Sequence, residues 1–290
     1  MTERRARWVL ALIVGLYLVL GGAYSLVNPI FESPDEALNY ANVRFLIEEH
    51  RLPVLEPGKP TKAHHPPLYY ALGALFTFWV PNEHYDTIVS RENPFWGGNQ
   101  LSEPGVDNKN LYLHDPALEG VPYQDVALGV RLLRWFSLLL GAGTLLCVYG
   151  TARELVPRRR PLALVAVTLV ALNPMFLFIS GSVHDDVLAN LVAAAILYVT
   201  TRVLVLGATM RRAIILGLLA GVAILVKLTS LLVMPTVGLA LLYSPLVNHK
   251  PGKWRRVIQL EGVVLILCLL LGGWWFVRNV TLYGDPTSMV

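Results

Sequence analysis

Long apolar runs that recur along the chain constrain its fold more than any other feature of the sequence. Apolar residues make up 54% of the 290 positions and charged residues 15%, well below the roughly 25% of an ordinary soluble domain. Several runs approach the roughly 20 residues that an α-helix needs to cross a bilayer. We therefore predict an all-α polytopic membrane protein with about seven transmembrane helices. The predicted spans are Trp8–Val27, Gly129–Gly150, Leu162–Ser180, Val187–Leu206, Ala213–Val226, Leu228–Tyr243 and Val257–Val277.

Clusters of lysine and arginine between these runs predict how the spans are oriented, because basic residues are enriched in cytoplasmic loops. The clusters precede the first span, separate the second from the third and the fourth from the fifth, and precede the seventh. They comprise Arg4, Arg5, Arg7, Arg153, Arg158, Arg159, Arg160, Arg202, Arg211, Arg212, Lys250, Lys253, Arg255 and Arg256. We predict a multi-pass protein of the plasma or inner membrane with a cytoplasmic N-terminus and an uncleaved first span.

Acidic residues follow the opposite pattern. All of the 20 Asp and Glu residues except Glu3, Glu154 and Glu261 fall on the predicted extracytoplasmic side. The orientation rests on the basic clusters, so the excess of acid is a separate indication that the extracytoplasmic face carries the function.

A long extracytoplasmic loop, Asn28–Leu128, follows the first span, and loops of this length are usually functional or structured. Pro34–His50 has the pattern of an amphipathic helix, whereas Pro67–Val80 is apolar but too short to span. If Pro67–Val80 crossed the membrane, the cluster Arg153–Arg160 would lie outside, so we predict a juxtamembrane helix on the membrane surface. The polar stretch Pro81–Tyr123 is expected to form a lid or a small capping element.

The sharpest motif is Ser33-Pro34-Asp35-Glu36, directly after the first span. In one interpretation it is structural: the serine caps a helix and Glu36 completes a capping box. In the other, Asp35 faces a cleft on one helical stripe with Asn39 and Asn42. A carboxylate at the membrane surface could accept a proton from an incoming hydroxyl. Asp35 and Glu36 are therefore candidate catalytic residues, and Asn39 is a candidate binding residue.

A pair of histidines before two prolines begins the predicted juxtamembrane helix, in His64-His65-Pro66-Pro67-Leu68-Tyr69-Tyr70. The histidines could be simple loop polarity, or they could bind a metal or a phosphate, with the rigid prolines fixing their position. We take His64, His65 and Tyr69 as candidate residues for binding substrate or lipid phosphate.

The motif His184-Asp185-Asp186 lies between the third and fourth predicted spans, on the same side as Asp35. The acids could simply cap the fourth span. Alternatively, the three side chains could bind a divalent cation such as Mg²⁺ or Mn²⁺, which accept oxygen ligands from carboxylates. No other cofactor is predicted.

Lys227 separates two short apolar runs, where a charge at mid-membrane would cost about 2.5–3.5 kcal/mol. At the outer edge, a lysine that extends to the surface is the structural interpretation. The functional interpretation is a partner for an anionic lipid head group, together with Arg131, Arg134 and Arg278 at the same level.

Several other sites are not expected. The chain contains no Walker loop, GxGxxG or GxSxG motif, so we predict no Rossmann-type nucleotide site. Topology explains the basic clusters, and we therefore predict no nucleic-acid partner. Cys147 and Cys268 lie inside apolar runs, so we expect buried, reduced thiols.

These motifs, in this order, resemble the GT-C superfamily of membrane glycosyltransferases. The closest likeness is to the branch with protein O-mannosyltransferases and lipid A aminoarabinose transferases. The resemblance is carried by Asp35-Glu36, His65-Pro66-Pro67-Leu68, Arg131-Leu132, Asn173-Pro174, His184-Asp185-Asp186, Lys227 and the stretch from Trp275 to Pro286.

The resemblance implies that residues 1–290 form a transmembrane core. Such enzymes commonly continue with further spans and an extracytoplasmic domain, so we expect this chain to be either a fragment or a minimal core. It implies a polyprenyl-phosphate-linked sugar as donor, approached among membrane lipids, and a glycan, lipid or protein acceptor. Asp35 would be the general base of an inverting transfer, and Lys227 with an arginine would stabilise the leaving phosphate. The alternatives are a transporter or lipid-carrier flippase, or a non-catalytic relative.

Overall fold

The computed structural model describes residues 1–56, 62–94, 96, 110–248 and 253–288, without the side chains of 245–248 and 253. Over these residues the fold is all-α, as predicted, and the described β-pairing is a single bridge between Glu92 and Tyr112. Lys250 of the fourth basic cluster, and residues 95 and 97–109 of the predicted lid, lie outside the described part. The α-helices are α1 (Glu3–Val27), α2 (Glu36–Glu49), α3 (Leu68–Thr77), α4 (Tyr85–Val89), α5 (Pro116–Glu119), α6 (Asp125–Leu155), α7 (Arg160–Ala171), α8 (Pro174–Ser180), α9 (Asp186–Leu206), α10 (Met210–Val226), α11 (Met234–Asn248) and α12 (Lys253–Tyr283).

Four of the described helices, α1, α6, α9 and α12, are long and apolar enough to cross a membrane. Helices α7 and α8 pass the same test together but are bent by 62° at the break between them, which gives up to five candidate spans. The structure therefore supports a polytopic membrane protein, whereas the count of seven spans stays a prediction.

Ion pairs bring the first three of the four basic clusters to one end of the helix bundle, here called the arginine end. Glu3, at the start of α1, lies 3.1 Å from Arg160 and 3.6 Å from Arg153. Arg202, near the end of α9, pairs with Glu154, near the end of α6, at 3.0 Å. Clusters that the sequence assigns to one side of the membrane thus lie together in the structure.

The opposite end of the bundle, here called the loop end, carries the long loop that follows α1. Asp185 and Asp186, where α9 begins, lie 3.5 and 2.5 Å from the ammonium of Lys227, where α10 ends. His65 of the long loop lies 3.0 Å from Asp185. Residues that the sequence places outside the membrane therefore meet at one end.

The predicted third span, Leu162–Ser180, consists of two helices that are bent by 62° at a break. Helix α7 ends at Ala171 and α8 begins at Pro174, because proline lacks an N–H donor and its ring clashes with the preceding turn. The Asn173 side chain accepts hydrogen bonds from the N–H groups two and three residues later, at 2.9 and 3.2 Å. This cap satisfies backbone donors that the break would leave without partners.

The predicted turn at Lys227 is present, but the helix after it does not begin at Leu228. A 3-10 helix, Leu228–Val233, comes first, and α11 follows it. The chain then returns to the arginine end, because Ser244 Oγ accepts a hydrogen bond at 2.9 Å from the N–H of Ala208, which follows α9.

Helices α10 and α12 pack closely because glycines lie at their contact. A Cβ atom on Gly272 would lie 2.8 Å from the carbonyl oxygen of Gly221, and one on Gly217 would lie 3.0 Å from that of Val264. Small residues allow helix backbones to approach one another in a membrane. The contact places Trp275 of α12 in the same apolar cluster as the last turns of α10.

Both helices predicted in the long loop are present, with shorter bounds, as α2 and α3. Helix α3 packs on α6, where a Cβ atom on Gly73 would lie 3.0 Å from the Leu133 side chain. Its opposite face and the residues after it expose Leu75, Phe78 and Trp79. This exposed apolar surface is what a juxtamembrane helix requires.

A histidine between two carboxylates fixes the long loop close to the start of α2. His114 Nε2 lies 2.8 Å from Glu32, and His114 Nδ1 lies 2.7 Å from Glu119. The hydrogen bonds to Glu119 and Glu32 raise the pKa of His114 to about 9, so the ring is charged at neutral pH. Because Glu32 lies just before Asp35 in the chain, this contact restrains the segment that carries Asp35.

Candidate functional site

Asp35 is the member of the predicted acidic pair that faces solvent. It immediately precedes α2 with a left-handed backbone (φ 61°, ψ 0°) and makes no capping hydrogen bond. Its carboxylate lies 2.7 Å from Lys62 Nζ, and its side chain is 50% exposed against 9% for Lys62. Strained backbone of this kind is tolerated best by Asp and Asn among non-glycine residues and clusters at functional sites. Asp35 thus presents an accessible carboxylate beside a buried ammonium group.

Opposing effects set the pKa of Asp35. Partial burial acts to raise the pKa, whereas the hydrogen bond and charge of Lys62, with the charges of His184 and His65, act to lower it. The net result is a pKa below that of an ordinary aspartate. Asp35 is therefore ionised at neutral pH, which is the state in which a carboxylate can accept a proton.

The capping box expected at Ser33 and Glu36 does not form. Helix α2 begins at Glu36 itself, and Ser33 Oγ instead accepts a hydrogen bond from Asn28 Nδ2 at 2.8 Å. The Glu36 carboxylate accepts a hydrogen bond from the N–H of Phe31 at 2.9 Å. Glu36 does not complete a capping box because Arg134, on α6, binds its carboxylate inside the protein.

Glu36 and Arg134 form a fully buried ion pair, with 2.6 Å between Nη2 and Oε2 and 2.8 Å between Nε and Oε1. Glu36 also accepts a hydrogen bond from the N–H of Val183, before α9, at 2.9 Å. Arg134 donates to three further carbonyl oxygens, those of Ser25, Asn28 and Pro29 at the end of α1. Glu36 is thus fully buried with both carboxylate oxygens bound to protein donors, and its predicted catalytic role stays a prediction.

A second network at the loop end joins His65, Asp185 and Lys227. The fully buried Asp185 lies 3.0 Å from His65 Nδ1 through Oδ2, and the same oxygen lies 3.5 Å from Lys227 Nζ. Burial acts to raise the pKa of Asp185, but the hydrogen bond from His65 and the charge of Lys227 lower it well below the ordinary value. Asp186 binds Lys227 at 2.5 Å. The structure therefore brings the predicted residues His65, His184, Asp185, Asp186 and Lys227 together.

Amide side chains of α2 connect this network to the segment that carries Lys62. Asn39 donates to the carbonyl of Val183 at 2.9 Å and accepts a hydrogen bond from Tyr70 at 3.0 Å. Asn42 donates to the carbonyl of Lys62 at 3.1 Å. Asn39 is buried, so its described contacts position its neighbours, whereas its predicted contact with substrate stays a prediction.

His64 and Tyr69, also predicted to bind substrate, differ in accessibility. The half-buried His64 ring packs edge-on against His65, with ring centroids 4.5 Å apart. The buried Tyr69 hydroxyl lies 2.9 Å from Ser137 Oγ on α6, so this side chain packs into the bundle.

Besides Arg134, which binds Glu36, the arginines predicted to join Lys227 at a phosphate are Arg131 and Arg278, and each of these two lies over an aromatic ring. Arg131 is 5.1 Å from the Tyr123 centroid and Arg278 is 4.8 Å from the Trp275 centroid. Arg278 also donates to the carbonyl of Pro53 at 2.7 Å. Lys227 therefore lies beside Asp185 and Asp186, whereas Arg131 and Arg278 contact other residues.

Lys62 is the residue of this site that the sequence analysis missed. The available signal was its position: it is a lysine between the last prolines of a proline-rich stretch, three residues before His65. A single surface charge is common, so this signal alone could not distinguish Lys62 from other lysines. Its burial and its pairing with Asp35 depend on long-range packing.

The motif at the start of α9 also supplies metal-ligand chemistry. His184, Asp185 and Asp186 each offer one ligand atom, and these atoms lie within 4.8 Å of one another. The loop end thus combines an accessible carboxylate, two lysines, two histidines and a set of nitrogen and oxygen ligands.

A comparison with known families identifies the chain. The family model described as dolichyl-phosphate-mannose-protein mannosyltransferase matches residues 129–275, which is just over half of the chain. The match includes His184, Asp185, Asp186 and Lys227, whereas Asp35 and His65 precede it. No curated protein and no solved structure gives a match. The chain therefore belongs to the dolichyl-phosphate-mannose-protein mannosyltransferase family of membrane glycosyltransferases.

Proposed function

We propose that this protein transfers a sugar from a polyprenyl-phosphate carrier to an extracytoplasmic acceptor, with inversion, and that Asp35 is the general base. Membership of the family supports the reaction class and the type of donor. The observation that carries the residue assignment is the half-exposed, ionised carboxylate of Asp35 beside the buried ammonium group of Lys62.

The proposed step is a single displacement at the anomeric carbon. The Asp35 carboxylate accepts the proton of an acceptor hydroxyl as its oxygen forms a bond to that carbon. The bond between the anomeric carbon and the phosphate oxygen breaks, and the electron pair leaves with the polyprenyl phosphate. One attack from the face opposite the leaving group inverts the configuration.

The leaving phosphate gains one negative charge in this step, and cations are needed where that charge develops. Lys62 and Lys227 are the candidate cations at the loop end, because the ammonium group of each pairs with a carboxylate of the site. The His65 ring, which contacts Asp185, is a further candidate contact for the phosphate. Glu36, Asn39 and Tyr69 would support the reaction indirectly by fixing the surrounding backbone, which accords with their burial.

Changing Lys62 to Met should move the acidic limb of the pH–rate profile to higher pH. Without the ammonium, partial burial of Asp35 acts with less opposition and raises its pKa, so a higher pH is needed to ionise the base. The profile of kcat/KM against pH measures this shift. Lys62→Arg keeps the positive charge and should keep the limb near its original position. An acidic limb that does not move in Lys62→Met would contradict the assignment.

The proposal also requires the loop end to face the extracytoplasmic side. In a background without Cys147 and Cys268, an impermeant thiol reagent should label Glu83→Cys, on an exposed part of the long loop, from outside. Arg159→Cys, between α6 and α7, should react only after the membrane is opened. The reverse pattern would contradict the orientation.

The reaction itself is tested by incubating the membrane-reconstituted protein with a panel of polyprenyl-phosphate sugars and acceptors, followed by mass spectrometry. Release of polyprenyl phosphate with a glycosylated acceptor is the expected result. Scrambling of the lipid carrier without transfer would instead favour a flippase, and binding without turnover would favour a non-catalytic relative.

A further inference from the structure

Three neighbouring ligand atoms at the start of α9 have the spacing of a metal site. His184 Nδ1 lies 3.3 Å from Asp185 Oδ1 and 3.5 Å from Asp186 Oδ2. Metal–ligand bonds of about 2.0–2.2 Å place neighbouring ligand atoms roughly 3.0–3.5 Å apart in octahedral or tetrahedral geometry. The imidazole nitrogen thus lies at coordination spacing from each carboxylate, and one ligand atom from each residue lies within 4.8 Å of the others, so one ion could bind all three after an adjustment of the two aspartate side chains.

The other oxygen of each carboxylate is already paired with a protein cation. Asp185 Oδ2 lies 3.0 Å from His65 and 3.5 Å from Lys227, and Asp186 Oδ1 lies 2.5 Å from Lys227. Each acid thus uses one oxygen for a protein cation and directs the second toward His184. This division matches metal centres in which surrounding hydrogen bonds orient the ligands.

An unsatisfied buried oxygen provides independent evidence for a ligand. The Asp185 side chain is 0% exposed, and its Oδ1 has no hydrogen-bond partner among the described residues. A buried carboxylate oxygen without a partner is costly, because it has lost its hydration without replacement. The nearest nitrogen cannot supply a proton in this arrangement, since His184 Nδ1 accepts a hydrogen bond from the N–H of Asp186 at 3.2 Å. Two acceptors therefore face each other, and a cation between them would remove the conflict.

We propose that His184, Asp185 and Asp186 bind one divalent first-row metal ion, with Mn²⁺ as the best match to one imidazole and two carboxylates. The long hydrogen bond from Asp186 N–H to His184 is given up when the ion binds. Lys227 and His65 remain on the outer oxygens. Metal binding does not depend on the proposed sugar transfer, although a role for the ion beside the leaving phosphate rests on that proposed function.

The test is a titration of the full chain, purified in detergent and stripped with EDTA, with Mn²⁺ followed by electron paramagnetic resonance. One site per chain is expected, and ¹⁴N modulation from an imidazole ligand should appear and change on ¹⁵N-histidine labelling. Asp186→Asn should weaken binding by about ten-fold or more. Asp86→Asn, an exposed acid on α4, is the matched control and should bind as the unmodified chain does.

Absence of a stoichiometric site, or a site that is retained in both Asp186→Asn and His184→Gln, would overturn the proposal. The imidazole signal in the unmodified chain decides the matter if either variant fails to fold. Lys227→Met should bind Mn²⁺ more tightly, because it frees Asp186 Oδ1; binding seen only in this variant would show that Lys227 is the cation of the native cluster. A chain that binds Mn²⁺ but transfers no sugar would refute the proposed function and leave the metal site standing.

Discussion

Replacing Asp35 with Asn should lower the rate of sugar transfer by about 10²–10⁴-fold, the usual contribution of a general base. Asparagine tolerates the left-handed backbone at this position and keeps an oxygen that can accept a hydrogen bond from Lys62. The variant therefore removes the basic carboxylate while preserving its surroundings. Rates should be measured with saturating donor, together with the melting temperature in detergent.

The matched control is Asp86→Asn, which removes an exposed aspartate that pairs with Arg44 at 3.0 Å. This variant should transfer sugar at close to the original rate. Transfer that survives in Asp35→Asn would exclude Asp35 as the base. Lipid-carrier scrambling that is equal in both variants, without transfer in either, would support the flippase alternative.

Changing Glu36 to Gln should destabilise the fold by about 3–5 kcal/mol, the usual result of removing one member of a buried ion pair. The glutamine leaves the Arg134 guanidinium buried without a counter-charge. Arg134→Met should cost a similar amount, because it leaves a buried carboxylate and three carbonyl oxygens without their donor. Thermal unfolding in detergent measures both effects.

A double variant separates the ion pair from the rest of the contacts. Glu36→Gln with Arg134→Met should be less destabilising than the sum of the two single changes, because each single change already breaks the same pair. Additive losses would mean that Glu36 and Arg134 contribute independently. Wild-type stability with loss of transfer in Glu36→Gln would restore Glu36 as a catalytic candidate.

Much of the helix pattern could be predicted from local sequence, because apolar periodicity and length report directly on helices. The predicted ends of the first and fourth spans, at Val27 and Leu206, coincide with the ends of α1 and α9. The sequence contains a signal for the break in the third span, the pair Asn173-Pro174. We did not predict the break because the apolar run continues on both sides of this pair.

The site was harder to predict, because its chemistry depends on which residues distant segments bring together. One interpretation of the local pattern predicted a capping box formed by Ser33 and Glu36, whereas in the structure Glu36 pairs with Arg134, on another helix. The sequence indicated His65, Asp185 and Lys227 separately but could not show that one oxygen of Asp185 contacts both the His65 ring and the Lys227 ammonium. Lys62 acquires its role only through burial beside Asp35.

The contacts between α12 and the proline-rich segment determine when the site can be completed during synthesis. Leu55 donates its N–H to Tyr283 at 3.1 Å, and Arg278 binds the carbonyl of Pro53, across more than 220 residues of chain. Ribosomes produce the segment with Lys62 and His65 long before they produce these partners. In a nascent chain, the early helices are therefore made before α12 can hold Pro53 and Leu55, and this part of the long loop acquires these contacts last.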